Sequence, residues 1–208
     1  MSDDCEVIPL FSTPLFIGNI SIDTQLVLNF VSNLKYGKYP GSGEGSENED
    51  VLELEELSSL KTEIDKAFEI YLYEFLMYEK NQNFSFTHET SWVNLHHKDD
   101  YSPIHNHQNS MYSFVFFVDV DENSGDIVFS SGRNSTFSYS AFDIPVSSYN
   151  VFNSHEFRLT PKNNMIIIFP SHVPHYVTIN KSEKERYTIA GNYFFRGSLT
   201  GRSQRLKL

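Results

Sequence analysis

Tyr101-Ser102-Pro103-Ile104-His105-Asn106-His107 is the stretch on which the reading of this chain turns. In an extended strand, side chains two apart point to one face, so His105 and His107 can aim two imidazoles at a single point. Much later comes Phe169-Pro170-Ser171-His172-Val173-Pro174-His175, a proline-flanked turn leading into a β pattern. His175 stands at the head of that strand and can add a third imidazole. His172 competes for the role, but a turn is a poorer platform for a rigid ligand. A cluster of neutral imidazoles suits zinc, iron, nickel or copper alike.

Working outward, the next strand reads Arg186-Tyr187-Thr188-Ile189-Ala190-Gly191-Asn192. Alternation puts Arg186, Thr188, Ala190 and Asn192 on one face. If that face is internal, the guanidinium needs a counter-charge. A dicarboxylate ligand would supply it, and the Thr188 hydroxyl would add a hydrogen bond. If the face is external, Arg186 pairs with Glu183 or Glu185. Alternation alone leaves both open. Of the eight histidines, His88 and His155 have no accompanying feature. His96 and His97 are adjacent and point to opposite faces; His96 shares its face with Asn94.

Before this region the pattern is helical. Asp23 is a candidate N-cap for a helix carrying Leu26, Val27, Phe30 and Leu34 and ending near Tyr36-Gly37. Residues 37–50 read as a flexible acidic loop, with glycines at 37, 41, 43 and 45 in a Ser/Glu/Asp background. It lacks the lysine of a phosphate-binding loop, and its carboxylates would repel phosphate. From Val51 to Tyr78, residues Leu54, Leu57, Leu60, Ile64, Ala67, Phe68, Tyr71 and Phe75 form a stripe expected to pack on a sheet. From Phe84 the period becomes two, with strands over 84–86, 92–96, 112–120, 126–130, 165–169, 175–179 and 186–195. The predicted fold is mainly β with flanking helices: a double-stranded β-helix (jelly-roll, cupin-like) core with two N-terminal helices outside. One domain is expected over 1–208, divided into N-terminal strands and helices (1–83), the jelly-roll core (84–196) and a flexible tail (197–208).

The stretch from Trp92 to Asn192 resembles the core of the iron(II)/2-oxoglutarate-dependent oxygenases. It is most similar to a family of such oxygenases found in bacteria and tailed bacteriophages. The resemblance is carried by Ser91-Trp92-Val93-Asn94, by Tyr101 four residues before His105, and by His105-Asn106-His107-Gln108-Asn109-Ser110. Gly125-Asp126-Ile127-Val128-Phe129, the turn into His175, and Arg186-Tyr187-Thr188 continue it, and Leu10 to Leu15 is similar to that family's opening strand. The resemblance implies iron(II) bound by His105 and His175, with His107 in the position where most members carry Asp or Glu. It implies that Arg186 holds the distal carboxylate of 2-oxoglutarate beside Thr188, with Tyr101 and Asn94 lining the cosubstrate pocket. The reaction implied is oxidative decarboxylation of 2-oxoglutarate with O₂, coupled to hydroxylation of a small-molecule or protein substrate.

Two other readings stay open: a three-histidine cupin-type dioxygenase needing no 2-oxoglutarate, and a non-enzymatic jelly-roll binding or structural module. Bulk properties narrow the partners. The formal net charge is −11 with a sequence pI near 5.1, which opposes nucleic-acid binding. Cys5 is the sole cysteine, so there is no internal disulfide and no cysteine-based zinc site. The acidic start and the absence of a long apolar run predict a soluble cytoplasmic protein without membrane contact, and a homo-oligomer is compatible with the sequence.

Overall fold

A computed structural model describes residues 5–39, 43–80, 83–131, 145–200 and 205–207. The elements in chain order are β1 (Phe16–Asn19), α1 (Thr24–Val31), β2 (Tyr36–Lys38), β3 (Glu44–Ser46), α2 (Ser58–Ile70), β4 (Phe84–His96), β5 (Ser102–His105), β6 (Tyr112–Asp119), β7 (Ile127–Ser130), β8 (Glu156–Leu159), β9 (Met165–Pro170), β10 (His175–Val177), β11 (Arg186–Thr200) and β12 (Arg205–Lys207). Short 3₁₀ turns at Val51–Glu53 and Glu55–Leu57 precede α2, and a π-helical turn over Tyr71–Phe75 follows it.

The strands form two antiparallel sheets. The larger has the order β1-β9-β6-β11-β4-β3-β2, with β12 on β11, and the smaller the order β5-β10-β7-β8. Alternation along the larger sheet sorts its side chains into two layers. Val93, Leu95, Phe114, Phe116, Ile166, Ile168 and Ile189 face outward and are covered by α1, α2 and the π turn. Val115, Phe117, Ile167, Phe169 and Ala190 face inward and pack on Ile127 and Phe129 of the smaller sheet. The result is the two-sheet jelly roll with external helices that the pattern predicts. Among the described residues, no helix is long and apolar enough to cross a membrane.

The helices follow from their sequences. Asp23 caps α1, its Oδ1 accepting from the Gln25 amide at 2.9 Å. Leu60, Ile64, Ala67 and Phe68 bury one face of α2. The π turn, closed by Leu76 N–H to Tyr71 C=O at 3.0 Å, keeps Tyr71 and Leu72 on that same buried face.

Three expectations are corrected. The first helix stops at Val31, where amides of Asn33 and Leu34 close onto carbonyls three residues back, and Tyr36 starts a strand. Residues 37–50 are not a loop throughout: β2 and β3 form a hairpin added to the edge of β4, with Gly45 opposite Asn94. Gly43, at φ +90°, sits where a Cβ would lie 2.4 Å from the His96 ring, so only glycine lets the hairpin close here. The tail is also structured in part, since β11 continues to Thr200 and pairs with Arg205–Lys207.

Candidate metal centre

The smaller sheet builds the centre by register. His175 of β10 pairs directly with His105 of β5, and their ring centroids are 4.3 Å apart. His107 lies just past β5, tied to the turn before β10 by its amide, which donates to Ser171 C=O at 3.0 Å. Its ring is 5.2 Å from that of His175 and 5.4 Å from that of His105. One ligand nitrogen from each residue lies within 4.8 Å of the others. Burial is graded: His175 is buried, His107 half-buried and His105 exposed, so the cluster opens to solvent on one side.

Hydrogen bonds set the protonation of these rings. His105 Nδ1 donates to Pro103 C=O at 2.8 Å and His175 Nδ1 to Val173 C=O at 3.0 Å. A carbonyl only accepts, so Nδ1 carries a proton in both, and in the neutral ring this leaves the Nε2 lone pair for a metal. His107 Nδ1 donates to Asn192 Oδ1 at 2.9 Å. Asn192 is held in turn by Ser113, whose hydroxyl donates to the same oxygen at 2.8 Å, and by its own donation to Thr90 at 3.0 Å. Desolvation, then the neighbouring His105 ring, pushes His175 down to about 3 and His107 down to about 4. Neutral imidazoles whose outer nitrogens are anchored this way are the usual donors of a metal site. The set fits a first-row divalent metal, iron(II) included.

Arg186 stands deeper, opposite His96 in the β4–β11 register. It is 2% exposed, and its Nε has no partner. Its neighbours are His96 Nδ1 at 3.5 Å and the Phe117 ring at 5.6 Å. Burial alone pushes the guanidinium down to about 10, with no carboxylate opposing it among the described residues. Desolvation and the Arg186 charge push His96 down to about 3, so it stays neutral. The external pairing left open by alternation is therefore not the one adopted: Glu185 interacts with His97 and Tyr187 instead. A buried cation with an orphaned donor fits an anionic ligand.

Thr188 and Asn94 face each other across β11 and β4, with Asn94 Nδ2 to Thr188 Oγ1 at 3.4 Å. Both lie on the inner face between Arg186 and the histidines. Tyr101 is not brought to this inner face. It is 42% exposed and lines an outer groove with Arg158, Tyr176 and Lys181. The reason is a register slip between the His175–His105 and Val177–Ser102 pairs. The extra residue lets both Ser102 and His105 face inward and leaves Tyr101 outside. His172 is exposed and outside the cluster. Sequence reasoning missed the second layer: Ser102, which meets His96 Nε2 at 3.1 Å, and Asn192 as the anchor of His107. The signal for Asn192 was its place on the Arg186 face.

Residues 90–192 match a family model described as "Putative 2OG-Fe(II) oxygenase". No curated protein matches the chain. Among solved structures, the chain is similar to a Pseudomonas putida prolyl-4-hydroxylase at 15% identity, TM-score 0.56, covering 90% of this chain and 96% of that one. It is similar to HygX from Streptomyces hygroscopicus, solved with nickel and 2-oxoglutarate, at 9% identity and TM-score 0.58, covering 87% and 82%. A Trichoplax adhaerens prolyl hydroxylase, solved with a hypoxia inducible factor peptide, gives 14% identity and TM-score 0.60, covering 89% and 81%. Identities this low speak for the shared fold alone.

Proposed function

Through residues 90–192 the chain belongs to the 2OG-Fe(II) oxygenase family, and from that footing we propose that it is an iron(II)- and 2-oxoglutarate-dependent dioxygenase that hydroxylates a bound substrate. The observation carrying this reading is that two unsatisfied sets of groups meet on one inner sheet face, since the Arg186 strand also carries Asn192, the anchor of His107. Three imidazoles present free Nε2 lone pairs, and a buried guanidinium lacks an anion. A metal satisfies the first, and a dicarboxylate the second.

His105, His107 and His175 hold the iron. Arg186 holds the distal carboxylate of 2-oxoglutarate, its fixed charge gaining in strength from the low-dielectric surroundings of Phe117. Thr188 and Asn94 offer a hydroxyl and an amide to the same ligand. When bound, iron and 2-oxoglutarate supply oxidative decarboxylation by O₂, giving succinate and CO₂ and delivering the second oxygen atom to a substrate C–H bond. The protein's part is positioning and exclusion. Asn192 fixes the ring of His107, the backbone carbonyls of Pro103 and Val173 fix the other two, and Phe129 and Phe169 wall off His175 at 5.9 and 4.8 Å.

The test is turnover of 2-oxoglutarate to succinate in the presence of iron(II) and O₂, with and without His175→Ala. Succinate formed by the parent chain and lost in the variant supports the reading. Stoichiometric iron binding without succinate, under conditions where O₂ is consumed with a candidate substrate, favours the three-histidine cupin-type reading instead. That alternative draws on the absence of a carboxylate from the cluster.

A further inference from the structure

Beside the histidines lies a smaller recess of about 180 Å³, lined by Tyr39, Glu49, Thr90 and Trp92. It adjoins the cluster through one ring contact: Trp92 stacks on His107 at 5.5 Å with planes 27° apart. The indole is fixed by its Nε1–H, which donates to Asn94 Oδ1 at 3.0 Å. Thr90 is fixed by Asn192, the same residue that holds His107. The opposite wall comes from the hairpin. Tyr39 follows β2, and its ring lies over Gly45, where a Cβ would be 2.1 Å from it. Gly45 is opposite Asn94 in the β3–β4 register, so the ring covers the inner-face edge of the sheet.

The chemistry of this recess is specific. Two aromatic rings line it, and a carboxylate sits beside them. Burial, with the Glu49 charge added, holds the Tyr39 hydroxyl above its usual range, which places the carboxylate near that ring. Every lysine and arginine ion pair among the described residues engages some other acid than Glu49. Glu49 thus lines the recess with no lysine or arginine ion pair among the described residues.

Resting on the oxygenase reading, we propose that this recess anchors the substrate and that the substrate is an organic cation, its guanidinium or alkylammonium head held against Tyr39 and Trp92 and neutralised by Glu49. The size suits the head and a short alkyl stem, leaving the rest of the molecule to run past His107 toward the metal. The acidic hairpin then has a role in recognition, and the net charge of −11 favours the approach of such a substrate.

Trp92 is the only tryptophan, so intrinsic fluorescence reads this recess directly. The probes are N-butylguanidinium and N-butylurea, alike in shape and different in charge. They are titrated into the full chain with and without zinc(II) and 2-oxoglutarate, which form no turnover-competent complex. The expected result is a saturable emission change with N-butylguanidinium, about tenfold or more tighter than with N-butylurea. Glu49→Gln, at an exposed position, should erase most of that preference, and Tyr39→Leu should weaken cation binding. Equal responses to both probes, no response in either state, or a charge preference that survives Glu49→Gln would overturn the proposal. Failure of the oxygenase reading shows elsewhere, as absent succinate formation. A chain that decarboxylates 2-oxoglutarate yet ignores the cation refutes the anchoring role alone.

Discussion

His105 and His175 are directly paired residues of neighbouring antiparallel strands, and each ring is anchored through Nδ1 to a carbonyl two residues earlier in its own chain segment. Strand register and local backbone together thus fix two of the three ligands. His107 differs, because its anchor is a side chain from the other sheet.

That difference makes Asn192 a sensitive position. Asn192→Ala removes the acceptor for His107 Nδ1 and one of the two partners of the Ser113 hydroxyl, leaving only Ser171. The ring is then free to rotate or change tautomer. Metal affinity should fall about 10- to 100-fold, the usual cost of deleting an outer anchor. A competition titration against a chelating dye checks this. Unchanged affinity would mean that His107 is not a ligand.

The contrast between Asn192 and Tyr101 shows how far the sequence could be read. The periodic elements were legible: the apolar stripe of α2, the strand alternation, and the shared face of Arg186, Thr188 and Asn192 all survive in the structure. Parity within an uninterrupted strand is a reliable guide. Tyr101 came from the resemblance and not from alternation, and the slip between Ser102 and His105 places it away from the inner face. A bulge leaves no mark in composition. The strand Glu156–Leu159 was missed because it is a short, largely exposed edge with little apolar pattern. The β2–β3 hairpin was hidden by glycines that signal flexibility in sequence and close approach in the fold.

Arg186 offers a test of stability against function. In the ligand-free chain it is a buried cation with an orphaned Nε. Arg186→Met keeps much of the volume and removes the unpaired charge, so the ligand-free protein should be as stable or more stable, by about 1–4 kcal/mol. The same variant should lose the stabilisation that 2-oxoglutarate gives the metal-loaded parent. Urea denaturation with and without metal and 2-oxoglutarate measures both. A large loss of stability in the ligand-free variant would mean that the guanidinium is already satisfied and holds no ligand.

Acid should destabilise the metal-free protein. His96 and His175 are pushed down to about 3 by desolvation, followed by the Arg186 charge for the first and the His105 ring for the second. Unfolded, each titrates near its ordinary value of about 6.5. Above that pH neither state binds the proton, and the full stability is present. Below it the unfolded chain takes up protons that the folded one refuses, so stability falls with pH from about 6.5 toward 3. Each buried histidine contributes up to about 1.4 kcal/mol per pH unit. Denaturation midpoints at pH 7.5, 6.5, 5.5 and 4.5 should be flat over the first step and fall over the rest. A flat profile to pH 4.5 would show that these rings are protonated in the fold.

The cluster carries no carboxylate, and this has a consequence for binding order. Three neutral imidazoles leave the charge of a divalent metal uncompensated in a half-buried site. A dianionic cosubstrate compensates it, and the Arg186 cation also gains its partner. Metal and 2-oxoglutarate should therefore bind with positive coupling, and linkage requires the effect to be reciprocal. The expected tightening of metal affinity by saturating 2-oxoglutarate is about tenfold or more, within the usual range of coupling energies. His107→Asp supplies a fixed negative charge at the same position. It should raise metal affinity in the absence of 2-oxoglutarate and shrink the coupling. Calorimetric metal titrations of parent and variant, each with and without 2-oxoglutarate, give the four affinities needed. Equal coupling in both proteins would show that charge neutralisation does not link the two ligands, and that 2-oxoglutarate, if it binds, answers to Arg186 alone.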